Sequence, residues 1–288
     1  MKTYCEYFVF LLMTLLLIMP SIAVADINDE LIEAATAGDI AQIRNSIEHG
    51  ADVNARSIAA RGGVTKTTAL MRAAYQGHIA IIKLLIESGA DVNAKDKDGQ
   101  SALMWAVYGN NTSIAKLLIE KGADVRKSEG WAVLLQVVSG PRVSFSAGLG
   151  GHRIKEVPEA EKIELVKLLI YNGADVNWYK SGDTPLSGAL LDGKTEMAKM
   201  LLENGADPNM QMSNGQTPLM FAIAANNTEM INLLMDKKAD VNLKGEDGST
   251  ALMIAAGRGR ASIAEVLITK GADINVKNKN GDTALSLV

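Results

Sequence analysis

The chain has 288 residues, 48% of them hydrophobic, and carries 29 basic against 33 acidic side chains for a formal net charge of −4. That length holds a sizeable core, and a mildly acidic chain with scattered cations fits a nucleic-acid binder poorly, because such binding draws on phosphate neutralisation. A single cysteine, Cys5, excludes a disulfide framework and cysteine metal cages.

The first element is a targeting segment. Lys2 precedes an apolar run from Phe8 to Met19, followed by Pro20 and Ala23-Val24-Ala25. The run has the length of a signal-peptide core and falls short of the ~20 residues a membrane span needs, and small residues stand at both positions required for cleavage after Ala25. The expectation is a signal peptide over residues 1–25, cleaved rather than kept as an anchor. No stable membrane span then remains, and the mature chain from 26 to 288 is free of cysteine, which suits an oxidising space. A periplasmic or secreted protein follows, a bacterial periplasm being the simplest destination and eukaryotic secretion staying open. Loss of Lys2 and Glu6 leaves the net charge unchanged.

A first helical unit runs from Asn28 to Asn54 without a hairpin. Asn28, Asp29, Glu30 and Glu33 at its start suit a polar cap with negative charge near a helix N-terminus. Between Asn54 and Thr68 a lengthened hairpin carries Arg56, Arg61 and Lys66. It is either an extended finger or a floppy one, and Ala59, Ala60, Gly62 and Gly63 favour mobility.

From there the chain repeats itself. Gly-Ala-Asp recurs at Gly50, Gly89, Gly122, Gly173, Gly205 and Gly271, with a Lys238-Ala239-Asp240 variant, mostly at intervals of 32 or 33 residues. Each unit opens on a turn pair such as Asp98-Gly99, Asn214-Gly215, Asp247-Gly248 or Asn280-Gly281, whose glycine can take the positive φ of a tight turn. A hydroxyl residue before Ala or Pro then starts a short helix: Thr68, Ser101, Thr184, Thr217, Thr250 and Thr283. A second helix follows with apolar residues at helical spacing, as in Ile79, Ile82, Leu85 and Ile86 or Ile114, Leu117, Leu118 and Ile119. The triplet glycine closes it in the left-handed conformation.

The unit between Gly122 and Gly173 is irregular. Its first helix is expected over Trp131 to Gly140 and its second over Ile163 to Tyr171, with an insert at 141–161 containing Gly148-Leu149-Gly150-Gly151, His152, Arg153 and Lys155. The insert reads as a solvated loop or an elaborated protein contact. A phosphate cradle is the weaker reading, since neither the strand nor the helix start such a loop needs is evident. Arg126 stands where the other units carry Asn. The chain stops inside an eighth first helix, so Ala284, Leu285, Leu287 and Val288 either fray or pack and leave an apolar end, and self-association through this end follows as an expectation.

Thr217-Pro218-Leu219 and Gly173-Ala174-Asp175-Val176-Asn177 resemble the ankyrin-repeat family, and the likeness covers nearly all of residues 27 to 288. It implies an all-α repeat solenoid of about seven helix pairs and a terminal half repeat, the pairs joined by β-hairpin-like turns. One departure is consistent: Met71, Met104, Met220 and Met253, with Ser187 and Ser286, replace the family's usual histidine. Core packing is the better reading of those methionines than an adaptable binding surface.

The resemblance further implies a protein-binding scaffold, not an enzyme, whose groove is lined by hairpin tips and the exposed face of the first helix. The matching hairpin residues are Lys97, Asp98 and Gln100, then Tyr179, Lys180 and Asp183, then Glu246 and Asp247. On the first helices they are Tyr75, Gln76, Tyr108, Leu191, Asp192 and Arg258, with Tyr75 and Tyr108 expected as a neighbouring pair because they are copies of one position. Trp105 reads as packing. An assembly or protective role for an exported enzyme, or an activity housed in the insert, stays open. No metal site or cofactor is expected: His49, His78 and His152 fall in three separate places, and the triplet aspartates, Asp52 to Asp273, recur once per unit as loop-stabilising groups.

Overall fold

The structure, a computed structural model, describes residues 27–57, 66–126, 128–140, 157–179, 184–212 and 214–288. Residues 1–25, expected as a signal peptide, Arg61, Lys180, Asp183 and the glycine-rich stretch of the insert with His152 lie outside the described residues. Among the described residues there are no strands, and the helices fall into seven pairs: α1 (27–37) with α2 (Ile40–Glu48), α3 (Ala69–Gln76) with α4 (Ile79–Glu87), α5 (Ala102–Tyr108) with α6 (Thr112–Glu120), α7 (Ser128–Ser139) with α8 (Glu159–Tyr171), α9 (Pro185–Leu191) with α10 (Thr195–Glu203), α11 (Pro218–Ala224) with α12 (Thr228–Asp236), and α13 (Ala251–Gly257) with α14 (Ala261–Thr269). They form two compact units, one ending at Val125 and the other beginning at Arg126. No described helix is long and apolar enough to cross a membrane.

The helix starts follow the hydroxyl residues. Thr68, Thr184, Thr217 and Thr250 have extended backbones, and each Oγ1 accepts from the amide three residues on, at 3.4, 3.0, 3.2 and 3.4 Å. At Ser187 the bond is returned, because its hydroxyl accepts the Thr184 N–H at 2.8 Å, closing both free amides of that turn. Met71, Met104, Met220 and Met253 are at most 4% exposed, so they fill the core as the sequence suggests.

The helix ends follow the glycines. Gly89, Gly122, Gly173, Gly205 and Gly271 all lie at φ between 90° and 95°, and Lys238 holds the same corner at φ 65° without being glycine. The second helices bury a stripe whose phase differs slightly from the expected one. In α4 it is Ile81, Ile82 and Leu85 that are buried, while Ile79, in the first turn, is 40% exposed; in α6 Leu117 is only half-buried.

The hairpin-like turns are single-rung loops. The amides of Asp96, Met212, Gly245 and Asn278 donate to the carbonyls of Gln100, Gln216, Ser249 and Asp282 at 2.9 to 3.0 Å, and the glycine of each turn folds back onto the first residue. In the irregular pair, α7 begins at Ser128 rather than Trp131, and α8 begins at Glu159, inside the stretch assigned to the insert. Pro158 precedes that start, and Glu159 and Glu161 place negative charge in the first turn, where the helix dipole favours it. The terminal stub packs rather than frays. Leu285–Leu287 form one 3₁₀ turn against α13, capped by the Ser286 amide on Thr283 Oγ1, which leaves Leu285 83% and Val288 93% exposed.

Candidate protein-binding surface

Two polar ladders tie neighbouring repeats together within each unit. The first runs through the Asp-x-Asn loops. Asp52, Asp91, Asp175, Asp207, Asp240 and Asp273 each accept, through Oδ1, the amide two residues on at 2.8 to 2.9 Å, so these carboxylates serve their own loops. The asparagines do the bridging. Asn93 accepts the Asp124 N–H at 2.8 Å and donates to the Gly122 carbonyl at 3.0 Å, and Asn54, Asn177 and Asn242 repeat both bonds on the next loop. Asn28 stands in for the missing first loop by accepting the Asp52 amide at 2.8 Å, a role its place in an apparently polar cap did not reveal. Arg126 interrupts the series, reaching the Asn172 carbonyl with Nε at 3.5 Å.

The second ladder joins the N-caps of α4, α6 and α10 to the end of the first helix of the preceding repeat. Asn111 donates to the carbonyls of Ala74 and Tyr75 at 2.9 and 2.7 Å, His78 Nε2 lies 3.3 Å from the Thr36 carbonyl, and Lys194 donates to the Val138 carbonyl at 2.6 Å. Arg258, expected on the groove, belongs to this ladder, because its Nη1 donates to the Ala224 carbonyl at 3.2 Å. Asp192 is likewise engaged, accepting Lys194 Nζ at 2.9 Å. Arg258 braces the stack directly and Asp192 holds the lysine that does, while both face solvent.

With the ladders accounted for, the remaining expected residues separate by unit. In the first, Tyr75 and Tyr108 are half-buried at the same register of the packed helices α3 and α5. Tyr75 packs on Trp105, which is fully buried as expected. The Tyr75 and Trp105 rings meet edge to face, 5.8 Å between centroids at 78°. The Trp105 indole N–H donates to Asp96 Oδ2 at 3.0 Å, and Asp96 Oδ1 accepts the amides of Asp98 and Gln100, both at 2.9 Å. This carboxylate, 6% exposed, pins the hairpin to the helix, and the sequence reading passed over it.

Gln100 and Tyr108 face each other directly, the Gln100 side-chain amide donating to the Tyr108 hydroxyl at 3.1 Å. Burial, with Asp96 and Asp98 close by, raises the Tyr108 hydroxyl above its usual pKa. The Gln100 side-chain oxygen is buried and accepts no hydrogen bond among the described residues. Lys97 and Asp98 are exposed at the tip, and Gln76 is half-exposed at the end of α3.

One residue of this surface was missed altogether. Arg72 occupies in α3 the position that Trp105 occupies in α5, counting from the capping Thr68 and Ser101, and a cation amid otherwise apolar or small residues was the signal available. Its Nε donates to Thr67 Oγ1 at 2.8 Å, and burial pulls its pKa down.

In the second unit, Tyr179 is 51% and Leu191 49% exposed, while Trp178 is half-buried. Glu246 and Asp247 stand exposed on their turn. Asp247 accepts both the amide and the hydroxyl of Ser249, at 2.9 and 2.8 Å, and these bonds, aided by Lys279, lower its pKa. Among the described residues no three histidine, cysteine, aspartate or glutamate side chains gather as metal ligands.

Comparison with known proteins agrees with this geometry. Family models described as ankyrin repeats match residues 31–129 and 157–245, and again 236–288, leaving unmatched the stretch where the irregular unit departs from the pattern. The crystal structure of the human ASB11 ankyrin repeat domain is similar at 26% identity and a TM-score of 0.59, over 84% of this chain and 98% of that one. Among curated proteins none matches in sequence. These models match well over half of the chain, and the chain belongs to the ankyrin-repeat family.

Proposed function

We infer that this chain is a protein-binding scaffold acting outside the cytoplasm. Ankyrin repeats mediate protein–protein interaction. The observation that carries the reading for this chain is the half-buried Tyr75 and Tyr108 pair over the buried Trp105, beside the Lys97–Gln100 turn, since interface anchors are enriched in Tyr, Trp and Arg. The extracytoplasmic part rests on the apolar run from Phe8 to Met19 with Ala23-Val24-Ala25 behind it.

The test uses the full chain with a C-terminal tag. Intact mass of the purified product reports cleavage after Ala25, and fractionation reports the compartment. Capture from the extracytoplasmic fraction is expected to retain a specific protein that is lost when Tyr75 and Tyr108 are both changed to alanine. If that pair can be changed without effect while deletion of residues 141–156 abolishes capture, the insert is the site and the groove assignment is wrong.

Self-association is a second reading, favoured by Ile268, Leu285 and Val288, which are 50%, 83% and 93% exposed at the last repeat. A mass by sedimentation that stays monomeric as concentration rises removes it.

A further inference from the structure

The geometry points to an acidic, extended segment of a partner protein as the ligand of the first unit, with a carboxylate seated on Arg72 and a neighbouring apolar side chain between Tyr75 and Tyr108. This rests on the scaffold reading and specifies the chemistry of its partner.

Arg72 and Tyr75 stand one turn apart on α3, and Trp105 and Tyr108 repeat that spacing on α5, so the two packed helices present a two-by-two grid with Trp105 as its floor. Within it Arg72 is held in place by the Nε bond to Thr67 but finds no carboxylate among the described residues. Asp96, the acid of the adjoining turn, is taken up by Trp105, Asp98 and Gln100. Residues 58–65, outside the described set, include no acidic residue in sequence. A guanidinium partly stripped of water, with both terminal nitrogens unpaired among the described residues, is a prepared fork for a carboxylate, and burial without that partner is unfavourable. The lowered pKa of Arg72 has burial as its cause and no neighbouring acid opposing it.

The surroundings agree in sign. Arg56, Lys66, Lys95 and Lys97 lie on the two turns of this unit with Asp98 as the one exposed carboxylate of the Lys95–Gln100 turn, and Arg56 Nη1 donates to the Lys95 carbonyl, joining the turns. A local excess of cations on a chain of net charge −4 favours a short acidic segment over a polyanion such as nucleic acid, which the rest of the surface repels.

The test pans the immobilised full chain against a random dodecapeptide phage library at physiological salt, then measures the strongest peptide by fluorescence anisotropy. Enrichment of Asp and Glu next to apolar or aromatic residues is expected. Amidating the key carboxylate (Asp to Asn or Glu to Gln) is expected to weaken binding to the unaltered protein about 10- to 100-fold, and to weaken binding to Arg72→Gln hardly at all, because the two changes remove one interaction. Lys97→Glu, at an exposed tip where folding is not at stake, is expected to weaken the same peptide several-fold. Equal losses on amidation in both proteins overturn the inference, as does equal binding of an oligothymidylate. Enriched neutral peptides that depend on Tyr75 and Tyr108 overturn it while leaving the scaffold reading intact. Failure to enrich any peptide removes both this inference and its support for a peptide-binding groove.

Discussion

Asn242 and Asn275 occupy the same place in successive Asp-x-Asn loops, yet among the described residues only Asn242 has a following loop to hold. Asn242 accepts the Asp273 N–H at 2.8 Å and donates to the Gly271 carbonyl at 3.0 Å, whereas among the described residues the Asn275 side chain makes no hydrogen bond. Replacing Asn242 by alanine removes two bonds, each worth about 0.5–1.5 kcal/mol net. Because the loop is exposed and water re-solvates what is left, the lower part of that range applies, and the expected loss is about 1–2 kcal/mol. Asn275→Ala keeps every recorded bond, since its backbone N–H still reaches Asp273, and is expected within about 0.5 kcal/mol of the parent. With a urea slope of about 2 kcal/mol/M, the Asn242 variant unfolds at about 0.5–1 M lower urea, and the Asn275 variant hardly moves. Both residues lie in the second unit, so one transition reports both. Hydrogen exchange adds a local readout, because the Asp273 amide loses its acceptor only in Asn242→Ala. Equal effects of the two substitutions, or an unchanged Asp273 exchange rate, would refute the claim that side-chain bonds between loops hold the repeats together.

Three further outcomes are expected. Lys238→Gly should stabilise the second unit by about 0.5–1 kcal/mol by relieving a left-handed non-glycine residue, and Gly271→Ala should destabilise it by about 1–2 kcal/mol from backbone strain alone, since a methyl group there meets open space; thermal or urea melts measure both. Tyr108, raised by burial and then by Asp96 and Asp98, should ionise above the usual tyrosine range in an ultraviolet titration, and Tyr108→Phe should delete that late component. Its sign is alkaline: the stabilisation is complete below the unfolded tyrosine value near ~10 and is lost as pH rises through the higher folded value. Arg126→Asn should restore the missing rung to the Asp175 loop and raise stability by up to about 1 kcal/mol, visible as a higher urea midpoint.

What could be read from the sequence is what depends on near neighbours. A capping threonine bonds three residues ahead, a triplet aspartate bonds two residues ahead, and a closing glycine answers only to its own backbone, so Thr217, Asp240 and Gly271 announced their roles in any one copy of the repeat. The asparagines escaped notice because their partners lie in the next repeat: Asn93 and Asp124 are 31 residues apart, and nothing local to Asn93 demands the contact. Distance also explains why the bond made by Arg258 was not legible. Arg258 looks like a free groove side chain at the end of its helix, but the Ala224 carbonyl, 34 residues back, engages it, whereas Asp192 meets a near neighbour, Lys194, two residues on. The start of α8 was displaced for the opposite reason. The repeat alignment set it at Ile163, while Pro158 and the acidic first turn at Glu159 and Glu161, purely local signals, set it four residues earlier.

The second ladder shows how a position can vary in residue type while keeping one task. A first helix ends with carbonyls that lack partners within the helix, and the next repeat supplies a donor cut to the distance: an imidazole from His78, an amide from Asn111, and the long ammonium of Lys194 reaching the irregular α7. Cations and neutral donors both suit this end, where the helix dipole is negative. At the last complete repeat the task shifts by two residues. Arg258 takes the Ala224 carbonyl, and Arg260, at the register of Asn111 and Lys194, keeps a buried Nε with no partner among the described residues. Once these donors and the loop asparagines are assigned to holding the stack, the side chains of the first unit left over are Arg72, Tyr75, Tyr108 and the Lys97–Gln100 turn. They share one face because their register on α3 and α5 is the same, and none of them is needed by either ladder. That division, between groups that hold the adjacent repeat and groups that serve neither ladder, is the physical ground for proposing recognition there rather than on the exposed acidic turn at Glu246 and Asp247, where Asp247 already has both Ser249 donors.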